Sequence, residues 1–486
     1  MRSLLGVLNI FGSLLTWFAL YFLLPVATAL LYGEFTALRG FLVGAAVSIG
    51  GGVLLRLATN RYQYDLKPRD AYLLVTVGWL VSAAVAAVPL LVDLPGISFT
   101  HAYFETMSGL STTGATQLHD IDLLPHAINI WRHALSWLGG MGIIVLAVAI
   151  LPLLGVGGMQ LYRAGAPGTV KDAKLAPRIT ETARTLGAVY VILTAACAIA
   201  LWAAGMPPFD AICHAFSTLG LGGFSTHDAN IAFFHSPLIE LVLMIFMLIA
   251  AMNFATHFMA LRKGDFKLYR KDPEARWMLL LILSSCIAIA IFVEAKGVYP
   301  NFFVSLRYAA FSVISMATDS GFVNVDYNAW PIFAPMWMLF LSCLCASSGS
   351  TGGGIKMFRS LILFKQSLRE MFTLVHPQAV RPLKIAGQTV PNGVVYSVLA
   401  FIFLYFITIT VLTFALLISG LDLISALSAI VACINNAGPG LNLVGPSSNY
   451  GTLTDFQSWI CIAGMFLGRV EIITCAVLFT PTFWRK

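Results

Sequence analysis

Four short polar turns carry the residues best suited to chemistry: "STTGAT" (Ser111–Thr116), "LGGFST" (Leu221–Thr226), "TDSGFV" (Thr318–Val323) and "NNAGPG" (Asn435–Gly440). Each holds a glycine in a matching place, at Gly114, Gly223, Gly321 and Gly438. Glycine lets a backbone adopt positive φ and aim consecutive carbonyls the same way. A ring of such carbonyls can replace the hydration shell of a cation. The expected chemistry is main-chain cation coordination by Thr112, Thr113 and Gly114, by Leu221, Gly222 and Gly223, by Asp319, Ser320 and Gly321, and by Asn436, Ala437 and Gly438. One glycine turn alone is an ordinary helix C-cap. Four in the same register point to a shared role beyond capping.

A second stretch, "SSGSTGGGIK" (Ser347–Lys356), interrupts sequence apolar enough for lipid on one side and helical on the other. A phosphate cradle is disfavoured by residue type rather than by spacing. Gly349 and Gly354 are correctly separated, but Ile355 stands where the Walker lysine belongs. Four glycines within Ala346–Gly354 make a continuous helix costly, at about 1 kcal/mol each relative to alanine.

The elements that must position these turns follow from hydropathy. The 486 residues are 58% hydrophobic and 10% charged, with mean hydropathy +0.84. The chain is a polytopic membrane protein. Ten spans are expected, near 4–32, 40–55, 71–92, 127–154, 186–205, 237–261, 277–295, 332–346 with a continuation after the glycine-rich break, 394–419 and 456–480. Before each glycine turn lies a moderately apolar piece: "FTHAYFETMSGLST", "FDAICHAFSTLG", "FVSLRYAAFSVISMAT" and "LDLISALSAIVACIN". These pieces are too short to cross a bilayer and suit re-entrant helices. The repeating unit is span, short helix, glycine turn, span. Repeats two and three also share Gly-Phe-x-x-x-Asp-x-Asn, from Gly223 to Asn230 and from Gly321 to Asn328. The fold expected is all-α, with four pseudo-symmetric repeats around one ion pore after two extra transmembrane helices. Its divisions are 1–65, 66–175, 176–270, 271–385 and 386–486. Irregular backbone at membrane depth is tolerated where protein buries it or it lines a wet path.

Charge sets the orientation. Of 29 lysines and arginines, 24 fall at the termini and in 55–70, 155–185, 262–276 and 354–390. Positive residues mark the inner side, so both termini are expected inside. Thirteen of 22 acidic residues fall on the opposite side, where they would concentrate cations. The net charge of +7 is explained by this bias, and nothing calls for nucleic acid. The eight cysteines lie in or beside apolar spans and lack metal-ligand spacing. An intramembrane enzyme is disfavoured, since there is no HExxH and no Gly-x-Ser-x-Gly. A H+- or Na+-coupled secondary transporter is the alternative. Its ionisable candidates inside the spans are few: His257, Arg469 and Glu471.

The four turns, the glycine-rich break and "GRVEIIT" (Gly468–Thr474) together resemble the Trk/Ktr/HKT superfamily of K+ transporters. "NNAGPG" is the most specific element, and the two extra N-terminal spans resemble its TrkH branch. The resemblance covers nearly the whole chain. It implies a K+ filter built on the four glycines, with Rb+ also passing, and no organic cofactor. It further implies a bacterial inner-membrane location, a homodimer and a cytosolic TrkA-type ring of nucleotide-binding subunits. By the same resemblance Ala346, Ser347, Ser348, Gly349, Ser350, Thr351, Gly352, Gly353 and Gly354 form an intramembrane gate loop. The polar side chains of this loop are expected to line a wet cavity. Arg469 is expected to face the pore under the filter as a barrier, because a lone arginine in a span should not face lipid.

Overall fold

The computed structural model describes residues 2–62, 68–145 and 175–484. The C-terminal end of the expected span 127–154 and most of the basic segment 155–185 lie outside the described residues. So do parts of the basic segment 55–70 and the final Arg485 and Lys486.

Two N-terminal helical stretches, Leu5–Tyr32 and Phe35–Tyr62, are long and apolar enough to cross a membrane. They pack through small residues. A Cβ on Gly12 would lie 2.8 Å from the Gly52 carbonyl, and Ser48 Oγ donates to Leu15 O at 2.7 Å. Close backbone approach of this kind replaces the missing hydrophobic drive between helices in lipid. The side chains left outside are those lipid requires, among them Leu31, Phe303 and Ile418, each at least four-fifths exposed.

Four repeats follow, and each contains a short helix: Phe99–Leu110, Pro208–Gly220, Phe302–Ala317 and Leu423–Asn435. Their starts are fixed locally. Ser98, Asn301 and Asp422 cap three of them by accepting from the N–H of His101, Val304 and Ser425. Pro208 occupies the first position of the other. At 12 to 16 residues they span too little to cross hydrocarbon. Their surfaces are nevertheless buried, ten of twelve residues in Phe99–Leu110 and ten of thirteen in Leu423–Asn435.

Six described helices pass as complete spans by length and apolarity, and two bent pairs raise this to eight. Two of the ten expected spans are broken where no break was expected. The span expected at 237–261 bends by 99° between Pro237–Ala251 and Phe254–Lys263, and the one at 456–480 bends by 103° at Glu471. The span expected at 332–346 is helical only over Phe333–Ser342, and the helix Met357–Val375 resumes after the glycine-rich segment. Interruption of the second helix is thus common to repeats two, three and four. Between helices Met357–Val375 and Asn392–Ile418 a hairpin pairs Lys384–Ile385 with Gln388–Thr389. It buries Leu383, Ile385 and Val390 against Phe358, Ile362, Val395 and Val398, a cap that the sequence pattern did not signal.

Candidate functional site

The four glycine turns are built alike, atom for atom along the backbone. Thr112, Leu221, Asp319 and Asn436 each end a short helix in the left-handed conformation, with φ of 57°, 55°, 63° and 57°. Two residues on, Gly114, Gly223, Gly321 and Gly438 repeat it, with φ of 77°, 64°, 76° and 83°. The residue between them donates its N–H to the carbonyl five residues back: Thr113 to Ser108, Gly222 to Ser217, Ser320 to Ser315 and Ala437 to Ala432, at 2.8–2.9 Å. This is the six-to-one bond of a Schellman cap. Each turn is therefore a C-cap, and its chain then runs on into the next feature.

The caps close a ring. A Cβ on Gly114 would overlap the Gly222 carbonyl, one on Gly223 the Ser320 carbonyl, one on Gly321 the Ala437 carbonyl and one on Gly438 the Thr113 carbonyl. Each glycine thus abuts the middle carbonyl of the next repeat, and the fourth returns to the first. All four glycines line one cavity of about 440 Å³, which His119, His227 and Asn230 also line. The connections above form a second ring. Asp122 accepts from Asp228 N at 3.0 Å and bonds the His227 imidazole, and Ile231 N donates to Val323 O at 2.9 Å. Asn442 N donates to Asn328 Oδ1 at 3.0 Å, and Tyr450 N to Thr116 O at 2.9 Å.

Buried polar groups hold the turns from behind. Glu105 accepts from Gln117 N at 3.1 Å, from Thr116 Oγ1 at 3.0 Å and from Arg132 Nε at 2.7 Å. Arg132 lies over the Phe224 ring of the second turn, 4.4 Å from its centroid. Tyr450 Oη donates to Gly438 O at 2.8 Å, and Ser315 Oγ to Phe322 O at 2.7 Å. Arg307 binds Glu240 through two 2.8 Å hydrogen bonds. Sequence reading placed Glu105 and Glu240 in a cation-attracting mouth. They are instead buried and neutralised by arginines, because a carboxylate taken out of water needs a paired cation.

On the inner side of the turns lies the segment Ala346–Gly354, and it touches all four repeats. Thr351 Oγ1 donates to Leu219 O at 2.9 Å, and the Thr351 methyl lies where a Cβ on Gly140 would meet it. Gly353 N donates to Asp319 Oδ2 at 3.0 Å, and a Cβ on Gly353 would overlap Asn435 O. A Cβ on Gly352 would come 3.2 Å from Thr318 O. The segment therefore sits against the C-terminal carbonyls of three short helices, groups that a helix leaves without internal partners. The broken second helix of repeat two holds its other side. Ala251 O accepts from Ser347 N at 3.0 Å, and Phe254 N donates to Gly349 O at 3.1 Å. The expectation that its serines and threonine line a wet cavity is not met here. Ser350 Oγ donates to Ser347 O, and Ser347, Ser350 and Thr351 are fully buried.

Arg469 reaches this segment from repeat four. Its Nη1 donates to Thr351 O and its Nη2 to Gly139 O, both at 2.8 Å. It is 2% exposed and has no carboxylate partner among the described residues. Glu471, left at positive φ where the helix breaks, pairs instead with Arg359 Nη2 at 2.7 Å. His257 bonds Tyr269 Oη and Ile249 O, each at 2.8 Å. The three ionisable residues considered for a proton relay therefore have separate partners.

The comparisons with known proteins agree with this geometry. The family model described as "TrkH: Cation transport protein" matches residues 39–486. The chain belongs to the TrkH family. It is 44% identical over 482 residues to the Trk system potassium uptake protein TrkH of Salmonella typhimurium, covering 99% of each chain. It is 43% identical over 482 residues, with the same coverage, to the protein of that name in Escherichia coli. Its structure matches the crystal structure of the potassium transporter TrkH from Vibrio parahaemolyticus with TM-score 0.91 and 40% identity, over 100% of this chain and 99% of that one. As a TrkH-family member it is a multi-pass membrane protein of a cation transport family.

Within this TrkH-family chain, sequence reasoning missed the residues that stitch repeats together. The shared Gly-Phe-x-x-x-Asp-x-Asn pattern was their one signal. Asn230 Oδ1 accepts from Val323 N at 3.2 Å, and Asn328 Oδ1 from Asn442 N, so the matched asparagines each fasten their repeat to the next.

Proposed function

We propose that this chain is a K+-selective, channel-like uptake protein of the bacterial inner membrane that also passes Rb+. The supporting observation is the closed ring in which each left-handed glycine abuts the next repeat's carbonyl and all four line one cavity. In this reading the turns at Thr112–Gly114, Leu221–Gly223, Asp319–Gly321 and Asn436–Gly438 are the filter. Their carbonyls replace the water shell of a K+ ion. The Ala346–Gly354 segment is the gate, since it lies across the inner end of the turns with Arg469 bonded to it. Both termini are cytoplasmic, and the protein works as a homodimer under a TrkA-type cytosolic ring of nucleotide-binding subunits. The resemblance to Trk systems supports both partners.

The membrane voltage drives K+ inward, worth about 2.3 kcal/mol per charge per 100 mV, so a closed resting state is expected without the ring. The test is cation uptake by the purified protein in liposomes. Rb+ uptake should exceed Na+ uptake and grow with an inside-negative voltage. Deleting residues 348–353 should raise it in the absence of any partner. Equal Rb+ and Na+ uptake would remove the filter assignment. Flux that vanishes without a proton or Na+ gradient would favour a coupled transporter.

A further inference from the structure

Three consecutive backbone groups of the segment are each held by an ionisable side chain. Thr351 O accepts from Arg469, Gly352 O accepts from Lys356 Nζ at 2.5 Å, and Gly353 N donates to Asp319 Oδ2 at 3.0 Å. Only the third holder belongs to the turns themselves. Thr112, Leu221 and Asn436 occupy the equivalent positions, so the carboxylate is peculiar to the third repeat.

Asp319 is fully buried, and its Oδ1 has no hydrogen-bond partner among the described residues. A carboxylate offers about four lone-pair sites, and here one N–H fills one of them. Leaving the rest empty in a buried setting is costly. Across the same loop residues lies Asn436, 1% exposed, whose Oδ1 is also without a partner among the described residues. A Cβ on Gly353 would come 3.2 Å from that oxygen, and one on Gly352 would come 3.4 Å from Asp319 Oδ2. The amide orientation is fixed by its other end. Asn436 Nδ2 has three acceptors around it, Thr113 Oγ1 and Met465 O at 3.0 Å and Cys433 O at 3.3 Å. Asp319 and Asn436, each with one unfilled side-chain oxygen, therefore lie against Gly352 and Gly353 where the segment meets the turns. Lys356 and Arg469 are the cationic groups that act on Asp319 while the segment is in place. Withdrawal of the segment would carry Lys356 with it and leave the carboxylate facing the path.

We propose that Asp319 is a latch between filter and gate. With no cation at the inner end of the filter it holds the segment through Gly353 N–H. When a K+-sized monovalent cation arrives there, Asp319 and Asn436 Oδ1 bind it, the Gly353 hydrogen bond is given up, and the segment is released. The proposal rests on the filter-and-gate reading above. The driving force is the stronger attraction of a carboxylate for a full charge than for a neutral N–H in a low-dielectric site. The loop would then open more readily when permeant ion is present to pass.

The experiment reads loop release directly. Cysteine is placed by Ser350→Cys, and its modification by a water-soluble thiol reagent is measured in proteoliposomes against the parent without it. Modification should be roughly tenfold faster in Rb+ than in impermeant N-methyl-D-glucamine, the size of losing one hydrogen bond to a charged group. Added Asp319→Ala, which removes the acceptor, should make it fast in both solutions. Added Asp319→Asn keeps an acceptor without the charge, and should leave it slow in both. Equal rates for Ser350→Cys in the two solutions, or full Rb+ acceleration retained with Asp319→Asn, would overturn the latch. A measurement without variants is a structure determined in Tl+. Density between Asp319 and Asn436 is expected, and its absence at saturating Tl+ counts against the site. Failure of the underlying reading would show separately, as Rb+ uptake unchanged by deletion of residues 348–353.

Discussion

The Arg469 guanidinium donates to the Thr351 carbonyl at 2.8 Å and, through its other terminal nitrogen, to Gly139 O at 2.8 Å. One side chain thus ties the interrupted segment of repeat three to the second helix of repeat one. Each bond is charge-assisted and buried, worth about 1.5–3 kcal/mol. Arg469→Ala removes both bonds and, if the segment is the gate proposed above, frees it and takes a fixed positive charge out of the path. The expected outcome is a rise of roughly tenfold or more in partner-free Rb+ flux, read in liposomes with protein of normal elution. Unchanged flux would make Arg469 a structural strut and nothing else.

The glycine ring separates crowding from strain. Gly114→Ser brings a Cβ against the Gly222 carbonyl, whereas Gly297, also at positive φ, has nothing within 4 Å of its Cβ position. Both substitutions carry a left-handed backbone penalty of about 1–2 kcal/mol. Only Gly114→Ser should lower Rb+ over Na+ preference, because only there does the side chain push carbonyls out of line. Competitive uptake of the two ions in the two variants gives the comparison, and equal selectivity in both would count against the ring as a filter.

Glu105 and Arg132 are each 1% exposed and paired at 2.7 Å. Removing one partner leaves the other charge buried alone, which costs about 3–5 kcal/mol. Glu105→Ala should therefore lower the thermal midpoint strongly. Glu105→Ala combined with Arg132→Met should recover part of the loss, because no bare charge remains. A double variant less stable than the sum of its singles would show that the pair is needed for more than charge balance.

What the sequence revealed and what it hid divide along physical lines. The short helices were legible because burial of 12 to 16 residues leaves an apolar signature with a glycine at the end. The break after Ser342 was legible because four glycines cannot propagate a helix cheaply. The breaks at Asn253 and Glu471 were not. The first is a helix start capped by a single asparagine accepting from Ala255 N, and the second is one residue at φ 66° within apolar sequence. Neither alters hydropathy. The pairing of Glu105 with Arg132 was equally invisible, since a carboxylate near a span end reads the same whether it faces water or a buried arginine.

The outer ring contains a titratable junction, and its sign can be worked out. His227 Nδ1 bonds Asp122 of repeat one, and Nε2 lies 3.5 Å from Asp210 Oδ2, a charge pair rather than a formed hydrogen bond. Asp228 exchanges backbone contacts with Asp122, His214 lies behind, and the Phe233 ring stacks on the imidazole. Burial pushes the His227 pKa down, but the Asp210 and Asp122 carboxylates outweigh it and raise it above the usual 6.5. Burial also raises Asp122, yet its bonds to Asp228 and His227 hold it below the usual 3.8. A raised histidine contributes stability that is complete below 6.5 and is lost as pH climbs through its folded value. A lowered aspartate contributes above 3.8 and fails as pH falls through its folded value. The tie between repeats one and two is therefore firmest between these limits and weakens on either side. Backbone hydrogen exchange across residues 120–124 and 226–230, corrected for its intrinsic pH dependence, should rise as pH passes from 6 to 9. His227→Gln keeps a polar side chain but cannot carry the charge, so its protection should be lower and flat across that range. A wild-type profile as flat as that of His227→Gln would mean that the imidazolium contributes nothing to the junction.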